Sequence, residues 1–556
     1  MKYRCIGVLL GLATGVFAQP SNDSLNMHAL LHYPVSQWGI AGAHADCADI
    51  WGYADSATGT EYAIIGNRKG TLVANITTPS SPSNALWVPG TSSLWRDIKT
   101  WDHYAYVVHD VPSGANPPYN GLLIIDMDSL AQNRWKFLKL PVPRANGQVD
   151  TLARAHNIFV DENGILYAFG SNVGVGGAIL IDVATDPWNP VTVGLYDGHY
   201  FHDGVARNDT LYGAALYSGV VVVNVTLKSN PQAVTSWATP SNFAHNCWLS
   251  DDGNTIYTTD EVANGYITGY DISDLSNVDE LWRHQVQPNT SLIPHNAHVA
   301  GNQVVTSYYT FGVHALDTEF PELPVLVGYY DTSPISGGGY FGNWGAYPYL
   351  PSGRILASDM EEGLYVLEPE YPEVSRLKVQ LGHVNWAAGS TITYGNITSK
   401  DFVYFKNSGD TLYADADGVV VYSAAQATND TLIYPFEYQM GMSGNGQGDD
   451  SLFVSLASGL FPHDTLIGSW SWSVDETDPA PFQVNTAEDH WTLVCGEVQY
   501  PNLVLGLYSL DGKKMRSEAW TRNRSYSIPF PEAKGLYVLS FRSLDGHEGA
   551  IRVLRP

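Results

Sequence analysis

A short motif recurs seven times along this chain: a glycine, a run of mostly aliphatic residues, then Asp, Asn or Glu. The copies read GTLVANIT from Gly70, GLLIIDMD from Gly121, GAILIDVA from Gly177, GVVVVNVT from Gly219, GYITGYDIS from Gly265, GVHALDT from Gly312 and GLYVLEP from Gly363. They follow one another at intervals of 51, 56, 42, 46, 47 and 51 residues. Each unit holds roughly four strand-like stretches, the period of a propeller blade. One such blade cannot bury both faces of its own sheet, whereas a closed ring of them buries all faces and leaves only short edges. The sequence therefore predicts an all-β chain with a seven-bladed β-propeller over residues 40–370. Composition agrees: 53 Gly, 31 Pro, 34 Tyr and 16 Trp favour short strands and tight turns over helices.

Two further regions follow the ring. Residues 371–475 alternate polar and apolar positions at period two, with Gly-Asp and Asn-Asp turns and no blade motif, and predict a β-sandwich module. Its stretch MSGNGQGDD lacks the carboxylate spacing of an EF-hand loop and reads as a solvated loop. Residues 485–556 hold a YSLDGKKM hairpin, a KGLYVLSF strand and a closing strand GAIRVLRP, which predict a second small sandwich.

At the other end, Lys2 and Arg4 precede an apolar run closed by Val16-Phe17-Ala18, the pattern of a signal peptide over residues 1–18. No later segment is apolar enough over 18 residues to cross a membrane as a helix. Of the 4 cysteines, Cys47, Cys247 and Cys495 lie beyond that segment, too few and too scattered for a disulfide framework. They read as buried thiols, with one bridge as the alternative. A net charge of −28 excludes nucleic acid as a partner, since phosphate binding needs clustered Lys and Arg.

Aligning the blades on their first strands gives a column of dipeptides: Ala48-Asp49, Arg96-Asp97, His156-Asn157, His202-Asp203, His245-Asn246 and His295-Asn296, with Asn343-Trp344 in the seventh unit. Equivalent positions on innermost strands face one another around the axis, so His156, His202, His245 and His295 should share one arc of a mouth. Asp203, Glu261 and Asp359 are candidates for a second layer, with His44, His199 and His298 nearby. Two readings stand side by side. Imidazoles gathered with carboxylates suit a divalent transition metal (Zn, Cu, Fe or Mn), each Asp or Asn steadying the next blade's ring. Alternatively, the repeated His is a hydrogen-bonded fastener within its blade. Tyr308, Tyr309, Phe341, Trp344, Tyr347 and Tyr349 have a similar pair of readings, stacking on a sugar or peptide, or blade packing. The chain carries no GxSxG elbow and no HExxH.

The segments FAHNCWLSDDGNTIYTTDE, PHNAHVAGNQVVTSYYTFGVHALD and YFGNWGAYPYLPSGRILASDMEEGLYVL resemble the LVIVD-repeat propellers of the choice-of-anchor B family. The resemblance spans nearly the whole propeller and departs at Gly312-Val313-His314, where the family usually has Gly-Leu-Arg. It implies an exported surface propeller with no established enzymatic activity. The last 72 residues resemble the type A sorting domain of the type IX secretion system. That implies a cargo of the Bacteroidota, released at or held on the outer surface of a Gram-negative cell after passage through the periplasm. The expected role is a binding or recognition module for a surface glycan or protein. The alternative is a metal-dependent oxidase or hydrolase with its site at the axial mouth.

Overall fold

The computed structural model describes residues 23–111, 119–319, 321, 324–372 and 374, and the strands between Ser375 and Arg555. The chain divides into two compact units that part after Val374. The first is a seven-bladed β-propeller.

Each blade is an antiparallel sheet whose strands follow one another in sequence. Blade 1 comprises Cys47–Asp55, Thr60–Asn67, Gly70–Asn75 and Ser83–Pro89, and blade 2 comprises Trp95–Trp101, Tyr104–Asp110, Leu122–Asp126 and Trp135–Leu138. Blades 3, 4 and 5 open with Asn157–Val160, Asp203–Arg207 and Ala244–Leu249. Blade 6 opens with Ala297–Ala300 and ends at Val325–Tyr330, where Ser24–Leu25 adds a short fifth strand. Blade 7 takes only three strands from its own stretch, Asn343–Tyr347, Ile355–Asp359 and Gly363–Pro369. Its fourth is Met27–Tyr33 from the other end of the propeller, paired antiparallel from Met27↔Pro369 to Tyr33↔Leu364. The propeller therefore begins before residue 40, because its last blade is completed by a strand that precedes blade 1 in sequence. Nothing in the heptad of motifs marks that strand, since it belongs to no repeat.

The motif runs form the third strand of each blade. Val220–Asn224 is nearly all valine, and its four valines are at most 1% exposed. Such strands are covered on both faces by neighbouring blades, which is why they read as continuous apolar runs rather than alternating ones. An apolar cluster sits between each adjacent pair, and the one between blades 7 and 1 joins Tyr347, Leu356 and Leu364 to Ile50, Ile65 and Leu72. The leading glycine has a backbone reason. Gly219 and Gly312 adopt φ +75° and +85°, and a Cβ on either would lie 2.0 Å from a carbonyl oxygen of the fourth strand.

In the second unit, Asp430–Gly441 pairs with Gln447–Leu456, and Asn502–Ser509 lies between Lys514–Thr521 and Gly535–Ser543, with Glu548–Arg555 outermost. Residues 1–18, the loop 442–446 and the turn Leu510–Lys513 lie outside the described residues. Among the described residues no helix is long and apolar enough to cross a membrane.

Candidate functional site

The seven first strands neighbour one another in order, and that of blade 7 meets that of blade 1. At one mouth of this ring the column residues meet. Ring centroids run 4.0 Å from His156 to His202, 4.2 Å on to His245, 4.7 Å on to His295 and 4.7 Å on to Trp344. The four histidines thus form one continuous arc, ended by Trp344 in blade 7 and by Trp95 beside His156. Arg96, the blade 2 member, turns away: its guanidinium donates to the carbonyls of Asn67 and Thr91. Ala48 leaves the blade 1 position without a polar group. A cavity of about 20 Å³, the room of one water or ion, lies between these side chains.

Three of the Asp and Asn side chains beside the column do not steady the next ring, as the spacing suggested, but accept hydrogen bonds from the next blade's backbone: Asp49 from Ile98 N at 3.3 Å, Asp97 from Ile158 N at 2.8 Å and Asn246 from Ala297 N at 3.0 Å. A short side chain at a strand's start reaches the neighbouring strand's N–H more easily than a ring above it. Histidine also fastens, but between blades rather than within one. His245 Nδ1 donates to the carbonyl of His295 at 3.3 Å, and His295 Nδ1 donates to that of Trp344. His156 instead pairs through Nδ1 with Asp110 at 3.2 Å. The fastener and ligand readings are therefore compatible, because each uses a different nitrogen.

A carbonyl only accepts, so Nδ1 of His245 and His295 must carry the proton and Nε2 must present a lone pair. Both Nε2 atoms face Glu261, at 3.3 Å from Oε2 for His245 and 3.8 Å from Oε1 for His295. Burial pushes both imidazoles down to about 3, against the pull of Glu261 on His295, so both are neutral near pH 7. Burial also raises Glu261, although His295 and the Tyr309 hydroxyl, which donates to its Oε1, oppose that. Acceptors thus face acceptors inside a nearly closed site. A shared proton or a cation resolves such a contact. The three ligand atoms lie within 4.8 Å of one another. Around a tetrahedral Zn²⁺ with bonds near 2.0–2.1 Å, ligand atoms sit about 3.3 Å apart, so small side-chain shifts close the set.

The other expected residues separate. His202 lies between His156 and His245, burial holding it well below its ordinary pKa, and its Nδ1 makes no hydrogen bond of good geometry. Asp203 lies deeper, accepting from Asn246 Nδ2 at 2.9 Å. Asp359 is buried away from the arc, holding Thr332 at 2.8 Å and the backbone N–H groups of Glu361 and Glu362. His44 contacts Asp46, and His199 contacts Tyr196. Tyr308 and Tyr347 are packing residues, and Tyr309 packs too while its hydroxyl serves Glu261. Cys47 and Cys247 are buried free thiols in blades 1 and 5.

Below the arc, Lys99 is buried between Asp97 at 3.0 Å and Asp49 at 3.8 Å, its ammonium 4.5 Å from the Trp51 ring centre. Burial works against that charge, but the two carboxylates outweigh it and hold its pKa above the ordinary value. Beyond Lys99 an aromatic plug fills the ring. Trp51 of blade 1 reaches Trp248 of blade 5 at 6.4 Å, with His298, Tyr347 and Tyr349 packed around them. The cavity therefore opens on the histidine side.

The sequence offered Asn343-Trp344 for the seventh blade, and Trp344 is the one that ends the arc; Asp110 as the partner of His156 was missed. Trp344 occupies the bulge between Asn343 and Gly345, as His245 occupies that between Ala244 and Asn246 in blade 5. Asp110 closes the second strand of blade 2, much as Glu261 follows that of blade 5. No protein-family model matches this sequence, and no curated protein matches it either.

Proposed function

We propose that this protein is a ligand-binding propeller whose axial mouth holds a divalent transition metal on His245, His295 and Glu261. The observation that carries the reading is the buried contact of two imidazole lone pairs with a carboxylate, both Nδ1 atoms being committed to carbonyls. Two imidazoles and one carboxylate suit zinc and would leave a fourth position open, and both imidazoles also line the cavity of the mouth. His156 and His202 line that cavity and lie beside the ion rather than on it.

The LVIVD-like segments, the signal-like start and the hairpin and closing strand of residues 485–556 support an exported surface protein carried by type IX machinery. On this reading residues 371–475 are a sandwich spacer, and the propeller is the part that recognises a surface partner.

Metal analysis of the purified full chain tests the assignment. One equivalent of transition metal per chain, lost on combining His245→Ala with His295→Ala, is the expected result. A metal-free protein whose melting temperature is unmoved by zinc and by copper overturns it.

A further inference from the structure

Among the described residues, the large exposed hydrophobics include five aromatic side chains: Trp95, Tyr200, Tyr217, Tyr340 and Phe341. Four of them stand on the histidine face, and Phe341 follows Tyr340 directly in the chain. Trp95 and Tyr200 lie 6.3 and 6.4 Å from the rings of His156 and His202. Tyr340 lies 5.5 Å from Tyr309 and its hydroxyl reaches the Glu261 carbonyl at 3.4 Å. Tyr217, 81% exposed, packs only its edge on Phe243 at 5.0 Å. Aromatic area left in water around one mouth is a cost without a partner, and its confinement to one face marks a contact surface.

Backbone strain is confined to the same place. Leu216 and Tyr309 have φ of +48° and +40°, and among the described residues they alone adopt this region without being Gly, Asn, Asp or Ser. Each makes an isolated bridge to the next blade, Leu216 to Ala244 and Tyr309 to Asn343. Bulky residues persist there only when the surroundings hold them, and such strain gathers at sites that must be shaped in advance. In blade 4 it turns Tyr217 outward, and in blade 6 it aims the Tyr309 hydroxyl at Glu261.

Charge selects the ligand class. The ionisable groups at the mouth are already engaged: Arg154 and His156 with Asp110, Arg96 with carbonyls, Glu261 with Tyr309, Glu361 with Gly342 N at 2.8 Å. A net charge of −28 repels polyanions. What the rim offers is flat, amphipathic and uncharged, above a floor of imidazole edges. We infer that the mouth binds a neutral glycan, whose sugar C–H faces stack on Tyr217, Tyr340 and Phe341 while hydroxyls meet the imidazoles. This rests on the mouth being the ligand face and not on the metal.

Titration calorimetry of the full chain against cellohexaose, maltohexaose, xylohexaose and chitohexaose tests the inference, in EDTA and with zinc. At least one sugar is expected to bind in both conditions. Combining Tyr217→Ala with Tyr340→Ala should weaken it about tenfold, the size that two lost ring contacts support, with no change in melting temperature. The inference is overturned if no sugar binds, if the tyrosine variants bind as tightly as the parent, or if EDTA alone abolishes binding. A lysine hexapeptide as the sole tight ligand overturns it as well.

Discussion

Exchanging the Glu261 carboxylate for an amide should move the metal-free and zinc-loaded proteins in opposite directions. Glu261→Gln keeps the shape and keeps an oxygen for the Tyr309 hydroxyl. The other atom becomes an NH₂ group, placed where Oε2 stands 3.3 Å from His245 Nε2. An acceptor facing an acceptor then becomes a donor facing an acceptor. Without metal, the variant should gain about 0.5–1.5 kcal/mol, the net worth of one buried hydrogen bond. With zinc at about 100 times Kd, the parent should gain about 2.7 kcal/mol by mass action and the variant nearly nothing. For about 350 cooperative residues unfolding at about 2.1 cal/mol/K each, those changes correspond to about 1–2 °C and about 4 °C in Tm. Scanning calorimetry of both proteins, in EDTA and in zinc, reads all four states. Equal zinc shifts in parent and variant would refute the ligand assignment. A variant less stable than the parent in EDTA would refute the acceptor–acceptor contact on which it rests.

Two other substitutions probe the surrounding ring. His314 is buried with both ring nitrogens unpartnered, stacked 5.1 Å from His284 amid Tyr308 and Phe311, so His314→Leu should stabilise the propeller by about 1–4 kcal/mol in urea unfolding. Burial, aided by His284, holds its pKa well below 6.5, so below pH 6.5 the unfolded chain takes up a proton that the folded one refuses. Stability from this group is thus whole above pH 6.5 and falls with acid, and the advantage of His314→Leu should widen by about 2 kcal/mol between pH 7 and pH 5; a constant gap would contradict it. Asp97 holds both Lys99 at 3.0 Å and Ile158 N at 2.8 Å, so Asp97→Ala should cost about 3–5 kcal/mol by leaving a buried cation short of a partner. A loss below about 1 kcal/mol would show that Asp49 suffices for Lys99.

Residue order alone carried the architecture a long way. Seven copies of one motif imply a ring, because a blade's apolar third strand needs a neighbour on both sides. The blade alignment also placed four histidines on one arc, since equivalent positions on first strands must face the axis. Glu261 was legible for a related reason: it follows the second strand of blade 5, next to the column. Sequence could not assign the two nitrogens of each ring, nor see that Asp49, Asp97 and Asn246 tie backbone across blades. Those depend on side-chain reach to residues about 50 positions away, which no local pattern encodes. Asp203 and Asp359 show the limit, for a carboxylate near the column in sequence can point down the channel or cap a distant turn.

Periodicity is a one-dimensional property, so the chain by itself determined blade number, strand order and the histidine arc. Which strand closes the ring was decided only in three dimensions, because Met27–Tyr33 belongs to no repeat and finds its place by pairing with Gly363–Pro369. The chemistry of the mouth was decided there too. Burial holds His245 and His295 neutral, their Nδ1 protons are taken by the next blade's carbonyls, and Glu261 is set against what remains. Desolvation and hydrogen-bond direction are properties of a packed interior, and they turn a repeated histidine into a set of donor atoms aimed at one point.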